Sequence, residues 1–552
     1  MSGPGERPWL ASYPPHLRRS RRREHDSALA VFRAAVKAAP AAAAVHYFDT
    51  GLTWTDLDRA SDALAALLLD RGFAPGDRLA LCLQNDPAFV VGLLAAWKAR
   101  GVAALISPMS KQRELEFTLG DYEPAALLAL DDLYEDVVRG VLARADTNVR
   151  TVVTTSPLSA LSRPDRRIFE GATPRRPGDT LDLTALVASY SGPPPPHVPP
   201  APDDLAVLAP SSGTTGEPKA AMLTHGSLAF NARTYRDWTG LRVGEPVLAT
   251  APVFHVTGLV GAVLLAALLR SPLILTHRFH PGVVLDAVRR HRPAFTVAPV
   301  TAYIALADDP AVSASDLRSL RLRYSGGSPL VPDVVDRLEA ELGGYLHNVY
   351  GQTESSSPTH MVPPGVRAPV HADTRALSVG LPVFDTDVAV VGDDGRPLPA
   401  GEIGELVTTG PQIGPGYWRR PQETAEVFTR AGMRTGDVGF MDDRGWFYVV
   451  DRSTDLINAA GYKVWPYEVE QVLTDHPAVL EAAVVAIADD YRGQSTRAYV
   501  ALRPGRSATE MELIEFCRLR MAAYKYPREV EIVGALPRTA TGKLMRRALR
   551  GR

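Results

Sequence analysis

Pro210-Ser211-Ser212-Gly213-Thr214-Thr215-Gly216-Glu217-Pro218-Lys219 packs hydroxyls, glycines and one lysine into a single short stretch. Glycines let backbone N–H groups converge on an anion, hydroxyls add donors, and a lysine brings a mobile positive charge. The stretch follows the apolar residues 205–209, which have strand character, so the loop sits at a strand end. A Walker P-loop needs Gly-Lys-Ser/Thr, whereas here Glu217 and Pro218 stand between Gly216 and Lys219, and Ala220 follows the lysine. The reading is a phosphate loop for a nucleotide triphosphate, of a kind other than the P-loop ATPases.

Outward from this loop, residues 204–354 alternate short apolar runs with amphipathic segments. Residues 205–209, 247–250, 273–276, 295–298, 320–324 and 345–349 read as strands, and 283–290 and 334–342 as helices between them. This βαβ rhythm predicts a doubly wound α/β sheet with ligands at the loops after its strands. Residues 43–155 show a similar rhythm, with Thr53-Trp54 opening a helix through Leu69 and Gly76-Asp77-Arg78 leading into apolar 79–83, which predicts a second α/β layer. The proline-dense residues 193–202 are a spacer before the phosphate-loop strand. From about 378 to 450, short alternating strands with the turn signals Asp393-Asp394-Gly395 and Asp442-Asp443-Arg444-Gly445 predict a small β-barrel-like subdomain. Mixed strands and helices after Asp451-Arg452 (482–487, 497–502, 530–533) mark a further domain.

The chain has 552 residues, too many for one ordinary core. Its 45% hydrophobic and 22% charged content is that of a globular enzyme, and a net charge of −2 gives no general pull toward nucleic acid or anionic membrane. The basic cluster Arg18, Arg19, Arg21, Arg22 and Arg23 is followed by Asp26, Arg33 and Lys37 and not by an apolar core, so it reads as a solvated face and not a signal peptide. The longest apolar run, residues 259–269, is well short of the ~20 residues a membrane span needs and reads as a buried helix. Cys82 and Cys517 have neither metal-ligand nor disulfide spacing, which places the protein in a reducing cytoplasm.

Downstream of the loop come five further clusters. Ser325-Gly326-Gly327-Ser328-Pro329 offers a backbone edge free of side chains. In Asn348-Val349-Tyr350-Gly351-Gln352-Thr353-Glu354, an aromatic before glycine can stack on a base, Thr353 can donate to a phosphate and Glu354 is a hard oxygen ligand for Mg²⁺. Arg434-Thr435-Gly436-Asp437 places a carboxylate where it can accept two vicinal ribose hydroxyls. The fourth is residues 451–470, from Asp451-Arg452 through Gly461-Tyr462-Lys463. The fifth is Leu536-Pro537-Arg538-Thr539-Ala540-Thr541-Gly542-Lys543-Leu544.

In order and content these motifs resemble those of the adenylate-forming superfamily, which contains acyl-CoA synthetases, adenylation domains and beetle luciferases. The chain is most similar to a bacterial medium- or long-chain acyl-CoA synthetase. The family's phosphate loop usually ends Pro-Lys-Gly, where this chain has Ala220, and its hinge usually carries Lys or Asp where this chain has Thr454. The resemblance implies a large N-terminal domain over 1–450, a hinge at 451–454 (Asp451 and Thr454) and a mobile α+β lid over 455–552. It implies that Ser211, Ser212, Gly213, Thr214, Thr215, Gly216, Lys219, Gly326, Gly327, Ser328, Asn348, Tyr350 and Gly351 hold ATP. By the same resemblance Tyr350 packs on adenine, Asp437 and Arg452 clamp the ribose, Thr353 touches the α-phosphate and Glu354 binds Mg²⁺. Lys543 then bridges the attacking carboxylate and the phosphate. The implied reaction forms acyl-AMP and pyrophosphate, after which the lid rotates and presents Gly461, Tyr462 and Lys463 to a thiol, that of coenzyme A.

Amino-acid-activating relatives place an aspartate after the residue equivalent to Phe254; here His255 stands in that place, as in carboxylic-acid CoA ligases, and is read as a gate on the acyl passage. The acyl pocket is expected around Val256, Gly258, Val300, Thr301, Tyr324, Ser325, Gly326 and Ser355, apolar or small residues suited to a fatty, alicyclic, aromatic or terpenoid acid. The rival readings are a ligase that loads an acyl carrier protein's phosphopantetheine or an amine, a luciferase-like monooxygenase, and a nucleotide-binding regulator without turnover. Relatives are often homodimers.

Overall fold

Thr53 shows how local chemistry starts the fold: its hydroxyl accepts from Asp56 N (3.1 Å) while the Asp56 carboxylate accepts from Thr53 N (2.8 Å), a capping box that opens the helix Trp54–Asp70. The computed structural model describes residues 7–15, 17, 24–145, 147–211, 218–372, 374–452, 455, 457–459, 462–489, 493–521, 525–538 and 544–550. Among these, the strands form four sheets.

The nine-stranded sheet runs Leu381–Pro382, Ser357–Met361, Leu346–Gln352, Leu322–Ser325, Phe295–Ala298, Val247–Leu248, Leu273–Leu275, Ala43–Tyr47, Thr50–Thr53. The eight-stranded sheet runs Gly416–Tyr417, Lys219–Thr224, Leu205–Ser211, Val102–Ile106, Arg78–Cys82, Ala126–Leu130, Thr151–Thr155, Leu181–Asp182. Both have parallel central strands covered by helices, as an α/β architecture requires. One continuous apolar core joins them: the helix Pro87–Lys98, buried on every side, brings Phe89, Leu93 and Trp97 into the same cluster as Leu264, Leu273 and Phe295.

Two strands lie in the other sheet from the one expected. Leu205–Ser211 belongs with the 78–155 strands, where it pairs parallel with Val102–Ile106 and antiparallel with Lys219–Thr224, Ser211 standing opposite Lys219. Ala43–Tyr47 pairs with Leu273–Leu275 in the opposite sheet. Burial on both faces marks each as an interior strand, but periodicity carries no information about which neighbour will supply the hydrogen bonds. The 247–250 strand stops at Leu248, because the carbonyls of Ala249 and Ala251 accept instead from Asn85 Nδ2 (2.9 and 3.1 Å). The 320–324 strand starts at Leu322, since Leu320 ends a 3₁₀ turn over Asp316–Ser319.

Residues 387–452 form an antiparallel five-stranded sheet. The C-terminal unit has its own sheet and a separate core around Ile457, Val469, Leu473, Val484 and Val500, which is what makes it a domain. Arg546 binds Glu470 through three contacts of 3.2, 2.9 and 2.8 Å, fixing the last residues to the helix Pro466–Thr474. Contact with the large domain comes from Trp465 and Tyr467, which pack on its core, and from the Arg375–Asp475 ion pair (2.5 Å).

Candidate active site

Strand ends and turns of the two large sheets meet the small β subdomain around Tyr350, Asp437 and Tyr417. The strand Leu322–Ser325 runs into Gly326-Gly327, and a Cβ on Gly326 would overlap the Val349 carbonyl oxygen, while Gly327 has φ +86°. Both positions therefore require glycine. The next strand, Leu346–Gln352, carries Asn348, Tyr350 and Gly351 to the same end, and a Cβ on Gly351 would overlap the Ser357 carbonyl. Asn348 is buried, with Nδ2 donating to Ser378 O at 3.1 Å.

Tyr350 and Asp437, far apart in the chain, come together. The Tyr350 hydroxyl donates to Asp437 Oδ2 at 2.7 Å, and Gln352 Nε2 donates to the same oxygen at 2.9 Å. Asp437 is 4% exposed and sits directly opposite Arg452 across the antiparallel pair Gly432–Met441 and Phe447–Arg452. Only the backbone of Arg452 is described.

Glu354 lies in the turn between Leu346–Gln352 and Ser357–Met361, and its Oε1 accepts from the Tyr417 hydroxyl at 2.7 Å. The turn is held by Asn231, whose Nδ2 donates to the carbonyls of Ser355, Ser356 and Pro358 (3.0, 2.8 and 3.2 Å). This compensates for left-handed backbone at Ser356 (φ 51°) and Ser357 (φ 92°). Thr353 sits half-buried in the same turn. Lys219, paired opposite Ser211 at the base of the phosphate hairpin, places its ammonium 5.2 Å from the Tyr417 ring centroid. Asn231, Gln352 and Tyr417 escaped the sequence reading: each is a lone polar or aromatic residue whose importance comes from a partner far away in the chain.

On the acid side, His255 is half-buried at the start of the helical segment Val256–Gly258, its ring 4.8 Å from that of Phe254. The preceding turn is set by Asn85, whose Oδ1 accepts from Val253 N at 2.8 Å. A Cβ on Gly258 would overlap the Pro252 carbonyl, and the helix continues through a π-helical stretch, Leu259–Leu264. Val256 is buried, and Val300 and Thr301 are half-buried at the start of the helix Val300–Ala307. Two of the expected pocket side chains are committed elsewhere. Tyr324 is fully buried, stacks on His347 and donates to Val362 O at 2.9 Å. Ser355, also fully buried, donates to Ser357 O at 2.8 Å. Tyr324 lies in the strand Leu322–Ser325 and Ser355 in the turn before Ser357–Met361, and each side chain packs inward. A cavity of about 200 Å³ lined by Phe230, Arg233, Leu268 and Asp385 contains none of the expected site residues.

Ser212, Gly213, Thr214, Thr215, Gly216, Thr454, Gly461 and Lys543 lie outside the described residues, as do the side chains of Tyr462 and Lys463, whose backbone forms part of the strand Tyr462–Val464. Ser328 is half-buried, and Asp451 accepts from Tyr467 N at 3.1 Å through Oδ2.

The sequence profile of the AMP-binding enzymes matches residues 32–418, and that of the AMP-binding enzyme C-terminal domain matches 468–543. A long-chain-fatty-acid–CoA ligase of Bacillus subtilis (strain 168) is 32% identical over 556 residues, covering 99% of this chain and 98% of its own. A feruloyl-CoA synthase of an Amycolatopsis species is 35% identical over 516 residues, covering 93% and 96%. Among solved structures, ATP-bound MatB from Rhodopseudomonas palustris superposes with a TM-score of 0.83 at 26% identity, covering 95% of this chain and 98% of that one, and the apo form of the same enzyme gives 0.73.

Proposed function

The chain belongs to the AMP-binding enzyme family and is an acid–thiol ligase of the AMP-forming kind, and from that premise we propose that it activates a hydrophobic carboxylic acid with ATP and passes the acyl group to coenzyme A. The observation that carries the reading is the meeting of Tyr350, Gln352 and Asp437 at one carboxylate oxygen, with Glu354 and Lys219 gathered around Tyr417 beside it. One cluster offers an aromatic face and a ribose acceptor; the other offers a metal-binding oxygen and a phosphate-binding cation.

The chemistry brings an anion to an anion, so the site has to neutralise charge and fix the line of attack. The acid's carboxylate oxygen attacks the α-phosphorus, the bond to the β-phosphate bridge breaks, and pyrophosphate leaves. The thiol sulfur then attacks the acyl carbon and AMP departs. Lys219 and Lys543 carry the positive charge for the first step and Thr353 donates to the α-phosphate, while Asp437 and Tyr350 orient the nucleoside. Glu354 suits Mg²⁺, which is usually held by one or two carboxylates plus substrate phosphates, and among the described residues no cluster of three or more acidic, histidine or cysteine groups offers a cage of its own. Bound there, Mg²⁺ would neutralise phosphate charge.

His255 and the apolar Val256–Gly258 segment support an uncharged acid tail, and the names of the two relatives bracket fatty and aromatic acids. The separate core of the C-terminal unit supports a lid that moves about 451–454. Among the described residues no helix is long and apolar enough to cross a membrane, and the two buried free cysteines support a reducing, cytoplasmic setting.

A panel of fatty, alicyclic, aromatic and terpenoid acids, scored for AMP release with and without coenzyme A, tests the reading. Thioester formation with a hydrophobic acid is expected. AMP release with no coenzyme A product, together with loading of a carrier protein, would replace the acceptor; no ATP–pyrophosphate exchange with any acid would overturn the reading. The chain is also proposed to form a homodimer, which light scattering on the same preparation reads.

A further inference from the structure

Tyr417 is delivered by the connection into the small β subdomain, yet it touches both charged groups of the phosphate side. Its backbone extends the phosphate hairpin, pairing opposite Ala221, and its N–H donates to Thr424 Oγ1 at 3.0 Å. The ring is 7% exposed and packs edge-on against Phe428 at 5.5 Å. From that fixed position the hydroxyl donates to Glu354 Oε1 at 2.7 Å, and the ring face lies 5.2 Å from Lys219 Nζ. Among the described residues no hydrogen bond reaches Glu354 Oε2, and the Glu354 carbonyl accepts from Gly414 N (2.8 Å), three residues before Tyr417.

We propose that Tyr417 is a positioning residue for adenylation: its hydroxyl holds one oxygen of Glu354 so that the other serves the nucleotide-bound cation, and its ring holds Lys219 by a cation–π contact, setting the metal carboxylate and the phosphate lysine at a fixed spacing. A carboxylate oriented by a second hydrogen bond presents a better-defined metal ligand, and an ammonium over an aromatic face is held without losing its charge. The inference rests on Glu354 being the metal carboxylate.

Two substitutions separate the two contacts. Tyr417→Phe keeps the ring and removes the hydroxyl; Tyr417→Leu removes both. Mn²⁺ binding is titrated by electron paramagnetic resonance in the presence of a non-hydrolysable ATP analogue, with metal-free analogue binding and thermal midpoint measured alongside. Tyr417→Phe is expected to weaken Mn²⁺ binding about 10-fold, the low end for loss of an outer-shell partner, with metal-free analogue binding and midpoint held. Tyr417→Leu is expected to weaken metal-free analogue binding as well. A wild-type Mn²⁺ titration for Tyr417→Phe overturns the proposal, provided Glu354→Gln does shift it. If Glu354→Gln also leaves the titration unmoved, the metal assignment of Glu354 fails, and this inference with it.

Discussion

The Tyr350 hydroxyl and Asp437 Oδ2 are 2.7 Å apart although 87 residues separate them in the chain. Because Gln352 donates to the same oxygen, two neutral donors fix Asp437 Oδ2 in place. Asp437→Ala should raise the KM for ATP in the pyrophosphate-exchange assay by roughly 10- to 100-fold, the size expected for losing a hydrogen bond to a charged group. Tyr350→Phe keeps the stacking face and should cost much less. Equal effects from both would mean that the carboxylate does not read the ribose.

Asn231 spans the gap between the helix His225–Thr239 and the Glu354 turn with three donated contacts. Asn231→Leu leaves the carbonyls of Ser355, Ser356 and Pro358 without that partner and should lower unfolding stability by about 1–3 kcal/mol, the cost of stranding buried polar groups. Adenylation should fall along with it, because the same turn carries Thr353 and Glu354. Urea unfolding combined with pyrophosphate exchange checks both; full stability with wild-type exchange would remove Asn231 from the account.

Asn85 faces the carbonyls of Ala249 and Ala251 with its amide nitrogen and Val253 N with its oxygen. Asn85→Asp is the same size but sets an oxygen against two carbonyl oxygens, with no proton to share while ionised. Its unfolding midpoint should therefore lie below that of Asn85→Ala, although alanine removes more atoms. The reverse order would show that packing volume and not polarity governs this turn.

Burial pushes the rings of His347, stacked on Tyr324, and His225, against Trp97, down to about 4. Between the ordinary value of 6.5 and about 4 the unfolded chain binds protons that the folded chain refuses. The stability these neutral rings contribute is thus complete above 6.5 and is lost as the pH falls toward 4, at up to about 1.4 kcal/mol per pH unit for each ring. His347→Phe should flatten the decline in urea stability between pH 6.5 and 5. An unchanged slope would place the ring's titration outside this window.

What could be read in advance follows the range of the interaction. The helix starting at Trp54 and the strand Phe295–Ala298 depend on a nearby cap or an unbroken apolar run, and both stand where local pattern puts them. The motif order grouped Tyr350, Glu354 and Asp437, because each occurs in a short motif with an unusual local composition. Tyr417, Asn231 and Asn85 carry no such signature; a tyrosine after a glycine or an asparagine in a helix is ordinary until its partner, dozens to hundreds of residues away, is known. Tyr324, next to Ser325-Gly326-Gly327, reads as pocket lining, whereas its ring is fully buried and stacked on His347, a contact no local pattern announces.

The crossing of Ala43–Tyr47 into one sheet and Leu205–Ser211 into the other governs the order of assembly during synthesis. When the first 150 residues have left the ribosome, the 43–53 hairpin still lacks Leu273–Leu275, and the 78–130 strands still lack the hairpin that closes their edge. Neither half can finish before the other begins, so the nascent chain carries unpaired strand edges across more than two hundred residues of elongation. Truncations between residues 155 and 205 should yield chaperone-dependent or aggregated fragments, and the two sheets are expected to unfold in a single transition.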